Sequence, residues 1–537
     1  MKPTLLWFFV LTILISMGLG IFCATVKDSP TSDEPPHILS GYVFLRYGHN
    51  FIDQEHPLLI KSLAAAPLLF LDIKTNLADT NYTQQRYIPH VGNMFDNSRG
   101  FLIYDGNNPD QILFWTRIPM ILLTISFGLV IFLLTRKLFG DLSSLVATFF
   151  YATEPLFLGH GSLVNTDIAA AGFIITTVYA LVLYAERQTP KRLAFLALVL
   201  AATLLSKFST FYLAPLTVLL MLYIYKTKKT YLYNHIAILI AGVFTCISLF
   251  YGLIGFRDNG FLGFVPTRYL VGLVSSVVSL SGKGRYTYLL GESYTGSRLY
   301  YFPILIATKT QLLTLLGTAL ALVLLAFKKL RFKRVDLVIF FVPFVVFLGL
   351  ALIAKFNIGI RHISPIYPFL IILAAAGIAG LVHIVSKNMS KTMKLSTIGV
   401  VIFVVFSFRL YSVTSTYPHF LSYYNILAGG TDNGWKVAND SNYDWGQDIK
   451  RLEEFVRDNK INSLAFDNYT GNYAAKDYYN LPVFQFYPDQ KNYQGHLALS
   501  TSVITFYENK PENYSWVVDN YKPIARAGKS IFIYKIE

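Results

Sequence analysis

The stretch 32-SDEPPHILSGYVFLRYGHNFIDQEHPLLIK-61 opens with an acidic pair and two prolines, and returns to charge at Glu55-His56-Pro57 and Lys61. Directly before it, the run from Leu5 to about Ala24 supplies the roughly 20 apolar residues that a helix needs to cross a bilayer. Lys2 precedes the run and no A-x-A site follows it, so it reads as an uncleaved anchor rather than a signal peptide. Charge beside a membrane is costly, and carboxylates placed there point to function rather than to a linker.

Outward from this stretch the chain keeps the same character. Of 537 residues, 54% are hydrophobic and 14% charged, with a mean hydropathy of +0.46. A soluble protein carries roughly a quarter of its residues as charges. Further apolar segments at 112–135, 142–158, 168–184, 193–206, 210–225, 235–255, 302–327, 335–354, 363–384 and 395–413 bring the expected number of spans to about eleven. The segment 56–71 is also apolar, but it is short and contains Lys61 and two prolines, so it reads as an interfacial or re-entrant helix.

The net charge of +15 does not indicate nucleic acid, because the basic residues sit in short clusters between apolar runs. The clusters 136-RK, 186-ERQTPKR, 226-KTKK, 328-KKLRFKR and 387-KNMSKTMK fall in alternate connections. The positive-inside rule makes those connections cytoplasmic. Residues 25–111 and the tail from about 414 then lie outside. Cys23 and Cys246 both fall in apolar segments and read as packed thiols. The tail, 414–537, changes composition toward Tyr, Asn, Asp and Lys. Strand-like runs NSLAFDNY, LALSTSVITFY and SIFIYKIE and a helical DIKRLEEFVRDN predict a small α/β domain.

On this topology the membrane-level charges gather on the outer side: Asp33, Glu34, Glu55, His56, Arg117, Glu154, Asp167, Lys207, Lys309, Arg361, His362 and Arg409. Carboxylates at Asp33 and Asp167 suit a general base or a divalent ion. Cations at Lys207, Lys309 and Arg361 suit a phosphate. Each lysine or arginine could equally snorkel to the interface, whereas two adjacent acids gain nothing there. His37, His49 and His90 match no standard zinc spacing.

The opening stretch resembles the first outer loop of GT-C glycosyltransferases, in the branch of the dolichyl-phosphate-mannose protein O-mannosyltransferases and bacterial aminoarabinose transferases (glycosyltransferase family 39-like). The likeness continues in order at 160-HGSLVNTDIAAAGF, 204-LLSKFST, 301-YFPILIATKT, 357-NIGIRHISPIYPF and 422-SYYNILAGGTDNGWKVANDSNYDWGQDIKRL. Where the aminoarabinose branch has lysine after the Glu of its Glu-x-Pro element, this chain has His56. The resemblance implies a GT-C membrane domain over 1–413, with 25–111 as its first outer loop, and an extracytoplasmic α/β domain over 414–537. It implies inverting transfer of a sugar from a polyprenyl-phosphate donor to a hydroxyl of a protein, lipid or glycan on the outer face. Asp33, Glu34 and Asp167 are then the catalytic acids. Lys207, Lys309, Arg361 and His362 bind the donor phosphate, and Glu55, His56, Lys61 and Arg117 contact substrate. A magnesium or manganese ion bridging Asp33 and Asp167 stays open. Two other classes remain: a transporter or flippase of a lipid-linked sugar, for which inverted repeats and midplane charges are not evident, and a non-catalytic assembly protein of the same fold.

Overall fold

Inside a bilayer each segment must satisfy its own backbone hydrogen bonds, so long apolar runs become helices. The computed structural model describes residues 2–48, 52–75, 91–229, 233–259, 264, 266–280, 284–468, 478–507, 510 and 513–537. Among them, eight helices are long and apolar enough to cross a membrane, or nine if the bent pair Tyr301–Lys309 and Leu312–Ala326 is one span. The chain is a multi-pass membrane protein, but the expected number of about eleven is not reached by this measure.

Two places account for the step from eleven to nine, and the bent pair for the further step to eight. The runs 112–135 and 142–158 fall largely in one 44-residue element, Pro109–Ala152, which breaks at Gly140 (φ 84°, ψ −174°). Tyr151 Oη donates to the Thr124 carbonyl at 2.8 Å. In a straight helix those residues would stand about 40 Å apart, so the two arms fold back on each other at the glycine. The run 193–206 lies in Pro190–Ser206, which has only 17 residues. Tyr367–Ser386 is largely buried and packs on Leu312–Ala326, where Gly377 faces the Gly317 carbonyl without room for a Cβ. Thr392–Thr416 leaves almost all of its surface open, as a lipid-facing helix should.

The segment 56–71 is not among the long spans. It forms a helix, Leu58–Ala65, continued by a tighter turn at Ala66–Phe70, and packs against Glu34–Tyr47 and Pro109–Ala152. Gly41 meets the Lys61 carbonyl so closely that a Cβ would collide with it.

The helices have chemically distinct ends. Lys137 and Arg192 both pair with Glu186, at 2.6 and 3.2 Å, gathering basic connections at one pole. Asp33 follows the end of Pro3–Thr25, Asp167 begins Asp167–Glu186, Lys207 follows Pro190–Ser206, and Arg361 precedes Tyr367–Ser386. All four therefore lie at the helix ends opposite the basic connections.

After the last span the chain forms a mixed sheet. Two short strands, β1 (Tyr286–Leu289) and β2 (Glu292–Thr295), pair as an antiparallel hairpin earlier in the chain. The tail adds β3 (Leu464–Asp467), β4 (Val483–Gln485), β5 (Gly495–Ser500), β6 (Ala525–Ala527) and β7 (Ile531–Ile536), in the order β4-β3-β5-β7-β6. Strand β3 is parallel to both neighbours, while β7 is antiparallel to β5 and β6. The predicted helix is present as Ile449–Asp458, burying Ile449, Leu452 and Val456. The run LALSTSVITFY departs from expectation: it is a strand only to Ser500 and then a helix, Thr501–Tyr507. Asp444 Oδ2 accepts the Ser502 amide and Ser500 Oγ the Val503 amide, so side chains capture the first turn's free donors and switch strand to helix.

Candidate active site

The site forms where four chain segments meet around one guanidinium. Arg361 sits in a short 3-10 turn, Ile360–Ile366, just before a buried helix. Its Nη1 lies 3.1 Å from Asp33 Oδ2 and 3.0 Å from Asp167 Oδ2. The other Asp167 oxygen accepts from Lys207 Nζ. The two acids that resemblance singled out are thus in one place, but a cation lies between them rather than opposite them. Asp167 is 2% exposed and Asp33 28%, so of the two only Asp33 opens to the outside.

Around this centre lie groups with spare capacity. The ring nitrogens His56 Nδ1 and His362 Nε2 are buried without a hydrogen-bond partner. His362 stands within the fields of Lys207, Arg361, Asp167 and His56. Burial, and then the nearby Lys207 ammonium, hold His56 well below the ordinary imidazole value, so the ring is neutral. Glu55 keeps an exposed surface, while partial desolvation of its carboxyl group, followed by the nearby Asp53 and Asp33, raises its pKa.

Other expected site residues are committed elsewhere. Glu34 is fully buried; Arg117 holds it through Nε at 2.9 Å and Nη2 at 2.7 Å. The same carboxylate accepts the Thr31 amide and hydroxyl and the Val164 amide. Arg117 spends its remaining donors on the carbonyls of Thr25, Asp28 and Ser29. Neither has a free polar edge for substrate; together they tie the first loop to the membrane helices. Lys61, also fully buried, pairs with Asp53 at 2.5 Å and donates to the carbonyls of Asp53 and His56. Burial opposes charge on Asp53, but Lys61 and His37 outweigh it and hold the carboxyl well below the usual range. Lys309 donates to the carbonyls of Leu421 and Asn442 and lies 4.5 Å from the Tyr424 ring, so it anchors the tail. Glu154 and Arg409 form a further closed pair with Thr314 and Gln311.

With Arg361 shared by Asp33 and Asp167, the position a bridging divalent ion would take is already filled by a cation. Among the described residues there is no group of three metal-ligating side chains, and His49 and His90 lie outside them.

Three participants escaped the sequence reading. Asp53 lies two residues before Glu55 and pairs with both His37 (2.8 Å) and Lys61. Asp440 sits in a left-handed conformation (φ 60°). Burial, with Asp33 adding to it, pushes its carboxyl up to about 6 against the pull of Arg361. Trp445 places its ring 4.2 Å from the Arg361 guanidinium. The last two belong to the quoted tail patch, whose clustered Asp, Asn and Trp were the available signal.

Residues 110–251, roughly a quarter of the chain, match the family model for dolichyl-phosphate-mannose-protein mannosyltransferase. The structure is similar to archaeal oligosaccharyltransferase AglB from Archaeoglobus fulgidus, solved with an inhibitory peptide and a dolichol-phosphate. That similarity has a TM-score of 0.50 at 10% identity, over 98% of this chain and 74% of AglB. ArnT from Cupriavidus metallidurans, solved with undecaprenyl phosphate, gives 0.48 at 11% identity over 99% of this chain and 98% of its own. No curated protein matches the chain. The chain has the GT-C glycosyltransferase fold, and over residues 110–251 it carries the sequence pattern of the protein mannosyltransferase branch.

Proposed function

We propose that this protein is an inverting glycosyltransferase that moves a sugar from a polyprenyl-phosphate carrier to a hydroxyl acceptor on the extracytoplasmic face. The observation that carries the reading is the Asp33–Arg361–Asp167–Lys207 chain of charges at one pole, bordered by the unused ring nitrogens His56 Nδ1 and His362 Nε2. The basic connections gathered at the opposite helix ends support the outward sense. The dolichol-phosphate bound to AglB supports the carrier class.

In this mechanism the acceptor hydroxyl gives its proton to Asp33, the more exposed acid. Its oxygen attacks the anomeric carbon from the face opposite the phosphate. The anomeric carbon–oxygen bond breaks, and its electron pair leaves on the polyprenyl phosphate. Lys207 and Arg361, with the neutral His56 and the His362 ring as further polar partners, stabilise the charge that develops on the phosphate. Asp167 holds both cations in place. One displacement needs no covalent nucleophile.

The test uses purified full-length protein in nanodiscs with a polyprenyl-phosphate-mannose donor. Product of opposite anomeric configuration, with free polyprenyl phosphate in equal amount, is the expected result. Retained configuration, or transport of an intact donor without cleavage, rejects the proposal.

A further inference from the structure

The tail after the last span reaches the charged centre through one loop, Asn439–Asp448. Its Ser441 Oγ accepts from Arg361 Nε at 3.1 Å and donates to the Ile358 carbonyl at 2.7 Å. Asn442 Oδ1 accepts the Ile360 amide at 2.8 Å. Gly359 lies against Ser441 with no room for a Cβ, so the two loops are pressed together. Trp445, 3% exposed, covers the guanidinium face. The same loop grips the segment before Asp33: the Ser32 amide donates to the Trp445 carbonyl and the Ser29 amide to the Gln447 carbonyl, both at 3.0 Å. Ser29 Oγ also donates to the Gly446 carbonyl at 2.7 Å and accepts the Ile449 amide at 3.0 Å.

An arginine shared by two carboxylates through one Nη can pivot unless another of its donors and its faces are fixed. Here Ser441 takes the Nε donor that neither acid uses, and Trp445 restricts the plane. We propose that the tail domain completes the active centre, with Ser441 and Trp445 as positioning residues that fix Arg361 between Asp33 and Asp167 while the loop backbone fixes Asp33 itself. The domain therefore acts on the transfer step rather than only on the acceptor. This rests on the glycosyltransferase reading for its kinetic readout.

The experiment is a double-mutant cycle in nanodiscs, with undecaprenyl phosphate as the binding probe. Trp445→Leu keeps an apolar side chain but removes the cation–π contact, worth about 2 kcal/mol when desolvated, which is about 30-fold. We expect kcat to fall by about that factor, Trp445→Phe to recover most of it, and undecaprenyl phosphate to bind less tightly. In an Arg361→Lys background, Trp445→Leu should cost less than about 3-fold, because the partner it positions has gone. Equal losses in both backgrounds would overturn the proposal. Hydrogen exchange supplies a readout independent of activity: peptides spanning 29–34 and 358–362 should exchange faster in Trp445→Leu, and unchanged exchange in both also overturns it. Should Trp445→Leu fail to fold, Ser441→Ala enters the same cycle with the same criteria. Wild-type protein that neither transfers sugar nor binds undecaprenyl phosphate removes the glycosyltransferase reading, and the exchange data then decide the positioning claim by themselves.

Discussion

Asp33 and Glu34 are consecutive in the chain and live in opposite surroundings. Asp33 is 28% exposed and joined to an arginine that also serves Asp167. Glu34 is fully buried, and its two oxygens take two arginine donors, a hydroxyl and two amides. The same contrast divides the whole charged layer. Glu34–Arg117, Asp53–Lys61 and Glu154–Arg409 are closed pairs wrapped in backbone and hydroxyl partners, whereas Asp33, Glu55, His56 and His362 retain open or unused polar edges. A buried charge is tolerable only when fully partnered, and a fully partnered charge has nothing left for a substrate. The difference separates the charges that hold the loops from those that keep a polar edge unused.

The comparison is sharpened most by removing Asp33. Asp33→Asn should lower transfer by about a thousandfold, within the range of general-base catalysis, while the unfolding midpoint stays put. A variant that turns over normally would move the base elsewhere. At Glu34 the balance should reverse. Glu34→Gln strands Arg117 without its counter-charge, and breaking such a pair costs about 3–5 kcal/mol, visible as a large drop in thermal midpoint. If Glu34→Gln were as stable as the wild type, the division between closed and open charges would fail. Next in size, Lys207→Ala should weaken undecaprenyl phosphate binding by about 10- to 100-fold, the worth of a charge-assisted hydrogen bond. Binding titrations of the nanodisc protein measure this, and an unchanged affinity would place the phosphate away from Lys207.

The smallest effect concerns Asp440 and has a defined pH sense. Its carboxyl titrates at about 6 in the folded protein, above the ordinary value, so ionisation costs stability as pH rises through that region. Asp440→Asn should therefore stabilise the protein by about 1–2 kcal/mol at pH 8, an amount reduced for partial exposure, with the gain vanishing below about pH 4. Asparagine tolerates the left-handed backbone at this position, so the variant tests charge alone. Unfolding midpoints across pH 4–8 provide the check, and a gain that did not depend on pH would contradict it.

Composition and the spacing of apolar runs were enough to establish a multi-pass membrane protein, because a bilayer imposes length and hydropathy on each segment separately. The order of motifs pointed to the fold class, and the alternation of basic connections supplied the expected sidedness. The number of helical elements differs from the number of apolar runs at two places. Gly140 folds one continuous helical element back on itself, so two apolar runs share one element, and Pro190–Ser206 has only 17 residues. Residue type identified Asp33, Asp167, Lys207 and Arg361 as a group worth joining. It could not say that Glu34, Lys61, Arg117 and Lys309 are consumed by their own neighbours, since that depends on carbonyls and amides far away in the chain. Nor could it show that a tail loop some 80 residues from Arg361 holds it in place. Sequence fixes which side chains carry charge and which segments must be helices; only tertiary packing decides which charges are satisfied, because satisfaction is counted in partners that local sequence does not contain.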